Sequence, residues 1–146
     1  MIAGQLSLSI VQGDNNSIQP GKRPLSAMSP TIVTKEGNIF MVTGSPGGSR
    51  IITITLEAIL NVIDHRMDIR TAIDTPRFHH QWMPDQLYLE KGISPDTIAI
   101  LSAMGHKIAP YENTNPVVAR VEAILNDKGW LQGGTDGRGE AKAEGY

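Results

Sequence analysis

The chain has 146 residues, no cysteine, and 13 Lys and Arg against 15 Asp and Glu, for a formal charge of −2. That length suits one domain with a real core; the missing Cys excludes disulfides, Cys-zinc sites and thiol nucleophiles, and the balanced charge leaves no footprint for nucleic acid or an anionic membrane surface. Fifteen Gly, nine Pro and only 5% aromatics predict many turns and extended connections rather than a helical bundle.

In chain order, residues 1–11 alternate loosely, with Leu6, Leu8 and Ile10 against Gln5, Ser7 and Ser9, as a short strand does. The same stretch lacks a basic start and a sustained apolar run, so neither a signal peptide nor a membrane segment is expected, and the sequence leaves localisation unknown. Residues 12–21 form a turn-rich loop. Thr31 to Thr34 and Asn38 to Thr43 flank Lys35, Glu36 and Gly37, which predicts a hairpin with Gly37 at positive φ. Ser49 is placed to N-cap a helix reaching about His65. Ile52, Leu56, Ile59 or Leu60, and Ile63 form one apolar stripe on it; Ile51, Ile54, Ala58 and Val62 form a second, so burial nearly all round is expected. The β-branched run Ile51 to Thr55 leaves a strand as the alternative.

Asp68 to Asp74 reads as a short helix stopped before Pro76, and Gln86 to Glu90 alternates as a strand. Ser94 as N-cap and Pro95 at the first helical position start a helix that runs to Met104, with Gly105 beyond its end. Residues 107–109 and 117–124 are candidate strands, the latter with a helix as the alternative, and residues 129–146 are rich in glycine and charge. Strands outnumber interspersed helices, so the fold class expected is α+β with an antiparallel or mixed sheet.

Ser45, Pro46, Gly47 and Gly48 lie between the apolar run Ile39 to Thr43 and the helix-like run from Ser49. A strand, a glycine turn and a helix start leave consecutive N–H groups aimed at one spot, and glycines let a ligand oxygen approach them. Such a turn can bind an anion or an oxyanion; it can equally be only a turn. Upstream, Lys22 to Pro30 carries two cations and several hydroxyls where Pro24 and Pro30 forbid an ordinary helix.

The runs PGKRPLSAMSPTIV, VTGSPGGSRIIT, TPRFHHQW and EKGISPDT, with GGTDGR and a terminal GY, together resemble the C-terminal part of γ-glutamyltransferase (γ-glutamyltranspeptidase) from about Ile10 to Tyr146. The resemblance implies a portion of an N-terminal-nucleophile hydrolase αββα sandwich, with residues 1–146 as a single partial domain. It implies transfer or hydrolysis of γ-glutamyl groups, as in glutathione, through a glutamyl-enzyme ester. Gly47 and Gly48 match the family's oxyanion-hole glycines. Ser26 matches the serine that holds the substrate's α-carboxylate, but the second serine of that clamp is Ala27 here. The loss is one charge-assisted hydrogen bond, about 1.5–3 kcal/mol. Asp136 and Arg138 match an Asp-Pro-Arg motif with Gly137 in place of Pro, read as a structural ion pair.

His79 and His80 invite a metal, but adjacent strand residues point to opposite faces, so packing is the expected role and no metal or other cofactor is implied. The family's nucleophile is an N-terminal Thr opening a Thr-Thr-His segment upstream of the Pro-Leu-Ser motif. No such segment occurs, and the ten threonines are internal with no free amine to activate them. The expected partners are therefore a γ-glutamyl small molecule and the large subunit or remainder of a precursor, with no nucleic acid and no membrane segment; relatives are commonly periplasmic or extracellular. The alternative is a non-catalytic or vestigial binding or assembly domain.

Overall fold

The computed structural model describes residues 17–23, 28–109 and 119–145. The strand expected over residues 1–11, Ser26 and Ala27 lie outside them. The predicted hairpin forms: β1 (Thr31–Lys35) pairs antiparallel with β2 (Asn38–Gly44), slipping register between Val33 and Thr34. Gly37 takes φ 79 and Glu36 φ 53, the two left-handed residues of a tight hairpin turn. β2 pairs in turn with β5 (Glu122–Asp127), and β5 with β6 (Trp130–Thr135), giving an antiparallel sheet of order β1-β2-β5-β6.

A 3-10 turn over Gly48–Arg50 leads into α1 (Ile51–Ile63), and α2 (Ile69–Asp74) follows with Asp68 as its N-cap. The Asp68 carboxylate accepts the Thr71 N–H at 3.0 Å, which supplies a partner for an orphan donor of the first turn. β3 (Phe78–His79) and β4 (Tyr88–Leu89) make a small second sheet, and α3 (Pro95–Ala103) carries the expected Ser94 cap and Pro95 start. Gly105 beyond it has φ 97.

Among the described residues, helices cover one face of the sheet. Met41, Ala123 and Leu125 alternate inward and pack with Ile54, Ala58, Val62, Ile69, Ala72, Ile73 and Val121 of α1, α2 and the approach to β5. The opposite face carries Ile32, Val42 and Ile124, paired across three neighbouring strands and all exposed. The α+β expectation holds.

Four details differ from the sequence reading. Ser49 does not cap α1; Arg50 occupies the cap position, without a side-chain bond, because Ser49 donates to Gln81 instead. Burial all round α1 fails: Ile51, Ile54, Ala58 and Val62 are buried, but Ile52, Leu56, Leu60 and Ile63 face out, Ile52 at 72% exposure. Residues 107–109 make only an isolated bridge, Ile108 to Leu87. β6 forms within the glycine- and charge-rich stretch to which the sequence reading assigns no element, with Gly133 and Gly134 inside a paired strand.

Candidate functional site

Strand β2 ends at Gly44, and three residues later the chain turns through Gly47 (φ 145, ψ 23) and Gly48 (φ 61) into the 3-10 turn. Both values belong to the left-handed side that side chains avoid. An alanine Cβ at position 47 would stand 2.0 Å from Ala119 Cβ and 2.8 Å from Ala119 Cα, whereas at 48 it would meet nothing within 4 Å. Position 47 is thus a close backbone approach to the chain entering β5, and the space beside Gly48 is open among the described residues. The Gly47 carbonyl accepts the Arg50 N–H at 3.2 Å; no backbone carbonyl among the described residues accepts the N–H of Gly47 or Gly48. The predicted strand-to-helix junction is present, displaced at its helical end from Ser49 to a short 3-10 turn.

One face of the helix downstream is polar at every fourth residue. Ser49 Oγ donates to Gln81 Oε1 at 2.6 Å, Thr53 Oγ1 meets His79 Nδ1 at 3.0 Å, Glu57 Oε1 accepts the Phe78 N–H at 2.9 Å, and Asn61 Nδ2 donates to the Ala72 carbonyl at 3.0 Å. Residues four apart stack on one side of a helix, so the four side chains form one seam along the segment 72–81. His79 Nε2 closes on Gln81 Oε1 at 3.1 Å. With its proton on Nε2, neutral His79 donates to Gln81 and accepts from the Thr53 hydroxyl, which satisfies both ring nitrogens. Burial depresses the His79 pKa below 6.5, the nearby Arg50 and His80 adding to the effect and the Gln81 bond opposing it.

Beside the seam lies a buried ionic network. The Arg77 guanidinium is 2.8 Å from Asp136 Oδ2 and donates to the carbonyls of Ala119 at 2.9 Å and Ile73 at 2.7 Å. It therefore fixes the residue against which Gly47 rests. Arg138 reaches Glu90 Oε2 at 2.5 Å and Asp136 Oδ1 at 3.1 Å, the expected pair with Asp136 being one arm of a larger cluster. Burial alone would raise the Asp136 pKa, but the N–H groups of Arg138 and Val121 and the Arg77 charge outweigh it and hold the carboxyl below 3.8. Glu57 behaves oppositely: burial lifts it from 4.5 to about 7 against the pull of the Phe78 N–H and Arg77.

Of the residues singled out in sequence, Gly47 and Gly48 stand together at the turn, and Ser26 lies outside the described residues. His79 is buried and His80 exposed, and among the described residues no three His, Asp or Glu side chains gather as a metal site would require. Phe78 and Trp82 are exposed, whereas Arg77 and His79 are buried and Gln81 is bonded to Ser49 and His79. The seam went unnoticed in sequence, although the spacing of Ser49, Thr53, Glu57 and Asn61 on an apolar helix was its signal. No helix among the described residues is long and apolar enough to cross a membrane.

The family profile of gamma-glutamyltranspeptidase matches residues 4–146. The chain is 49% identical over 130 residues to the glutathione hydrolase proenzyme of Escherichia coli K12, covering 88% of this chain and 22% of that protein. It is 53% identical over 111 residues to the proenzyme of Pseudomonas sp. strain A14, covering 75% and 19%. Among solved structures it resembles a T380A mutant gamma-glutamyltranspeptidase of Helicobacter pylori (48% identity, TM-score 0.78, 88% of this chain and 70% of that one). It also resembles the enzyme of Pseudomonas nitroreducens complexed with L-DON (33%, TM-score 0.82, 95% and 72%). The chain thus spans about a fifth of the length of these curated relatives, and it belongs to the gamma-glutamyltranspeptidase family, carrying a portion of that family's N-terminal-nucleophile hydrolase fold.

Proposed function

We propose that this chain is the C-terminal part of a γ-glutamyltransferase small subunit, a single partial domain that completes an active site with the rest of the enzyme. The substrate is a γ-glutamyl amide of the glutathione type. A hydroxyl nucleophile outside this stretch attacks the γ-carbonyl, and the carbonyl oxygen takes up negative charge. The N–H groups of Gly47 and Gly48 stabilise that oxygen; the leaving amine takes a proton as the glutamyl-enzyme ester forms, and water or an acceptor amine then cleaves the ester. Ser26 holds the α-carboxylate, with Ala27 leaving one bond fewer than the family's clamp provides.

The observation that carries this reading is the Gly47–Gly48 turn, a strand-to-helix junction with two left-handed glycines whose N–H groups stay outside the ladder bonds. Rigid neutral donors suit an oxyanion because they need neither reorientation nor a particular protonation state. The test is nitroaniline release from γ-glutamyl-p-nitroanilide. The chain alone should release none above buffer, because an oxyanion hole without a nucleophile gives only weak water-dependent catalysis. The chain within its complete precursor should turn the substrate over. Turnover by the purified chain alone would contradict the reading.

A further inference from the structure

Glu57 is buried on α1, where Oε1 accepts the Phe78 N–H and Oε2 has no hydrogen-bond partner among the described residues. The charged groups facing it come from three elements: Arg77 preceding β3, Glu90 following β4, and Arg138 beyond β6. Both arginines are already engaged by acids, Arg77 by Asp136 and Arg138 by Glu90 and Asp136. Among the described residues no further cation faces Glu57 to neutralise its carboxylate, and a buried charge with one bare oxygen is far more costly than a neutral carboxyl in the same place. His79, the residue after Phe78 in the same seam, is wired between Thr53 and Gln81, facing also the Tyr88 ring at 6.4 Å, Arg50 and His80. Gln81 carries the chain of bonds to Ser49, the residue next to Gly48.

We propose that Glu57 and His79 are proton-controlled positioning residues of the Gly47–Gly48 turn. With Glu57 protonated and His79 neutral, the seam between α1 and the 77–81 segment is closed and the turn is held; ionising either group loosens it. The catalytic consequence rests on the oxyanion-hole reading of the turn; the mechanical coupling does not. The two titrations act in opposite directions. His79 favours the closed seam as pH rises out of the acid range, and Glu57 as pH falls through neutrality, so the turn is best ordered in a mildly acidic to neutral window.

The experiment is a pH titration by NMR of the full chain with carbon-13 at the Glu carboxyls and nitrogen-15 on Gly and Ser. The Glu57 carboxyl should titrate near 7, and the Gly48 and Ser49 amide signals should move with the same midpoint. In Glu57→Gln, which keeps an acceptor for the Phe78 N–H, that amide movement should vanish. A Glu57 carboxyl titrating in the ordinary carboxylate range overturns the proposal. So do Gly48 and Ser49 amides that ignore its midpoint or still follow it in the Gln variant. The first two comparisons need only the unsubstituted chain, so they decide the matter even if the variant does not fold. In the complete precursor, Glu57→Gln should also abolish a fall in kcat above neutral pH, with KM little changed. If the amide coupling holds while removing the Gly48 N–H leaves kcat intact, the oxyanion-hole reading fails and the seam stands.

Discussion

At the residue scale, Gly47 and Gly48 are glycines for different reasons, and substitution separates them. Gly47→Ala meets Ala119 backbone as well as a forbidden φ, whereas Gly48→Ala meets only the φ, at about 1–2 kcal/mol. Urea unfolding should therefore rank Gly47→Ala as the more destabilising; an equal or reversed order would contradict the close approach. The clamp gives a second prediction: Ala27→Ser in the precursor should lower KM for γ-glutamyl-p-nitroanilide by about ten-fold or more, on the value of a charge-assisted bond. An unchanged KM would remove Ser26 and its neighbour from the carboxylate site. The buried acids make a third. Asp136, held below 3.8, contributes stability present above that pH and lost as pH falls through its folded pKa. Glu57, raised to about 7, has the opposite sign: stability is full below 4.5 and declines as pH rises toward 7. Glu57→Gln should flatten that decline in denaturant midpoints measured between pH 4.5 and 7.5, and an unaltered slope would place the titration elsewhere. The turn at Gly47 and Gly48 was legible in sequence because its backbone geometry is local. The Arg77–Asp136 contact joins residues 59 positions apart, and no spacing rule announces it.

At the element scale, local signals were read well where they act locally. Ser94 and Pro95 start α3 as their chemistry requires, and Ser94→Ala should cost about 1 kcal/mol through the lost bond to Thr97 N–H, measurable by chemical denaturation. Ser49 shows the limit of such signals, because a tertiary bond to Gln81 outcompetes capping. β6 was missed for a related reason: its pairing with β5 overrides the weak strand propensity of Gly133 and Gly134. Helix α1 was correctly placed and wrongly surrounded. Its outward stripe Ile52, Leu56, Leu60 and Ile63 needs another layer, and none of the described residues supplies it. Ile52→Lys with Leu56→Lys should leave the melting temperature of the isolated chain unchanged but block its assembly with the rest of the precursor in co-purification. Unimpaired assembly would show that this stripe stays open to water in the finished enzyme.

At the scale of the whole molecule, a sheet apolar on both faces with helices on one is half of a four-layer arrangement. Ile32, Val42 and Ile124 mark the uncovered face, and the isolated chain should self-associate through it. A monomeric, cooperative melt in analytical ultracentrifugation and calorimetry would count against that. The central claim is that this incomplete sandwich contributes the oxyanion donors of a γ-glutamyl-transferring enzyme. It is tested most directly by replacing Gly48 with glycolic acid in the semisynthetic complete enzyme, so that an ester oxygen stands where the N–H was and no side chain changes. Steady-state release of nitroaniline from γ-glutamyl-p-nitroanilide should then fall about 10²–10³-fold in kcat with KM nearly constant. An unchanged kcat would contradict the account.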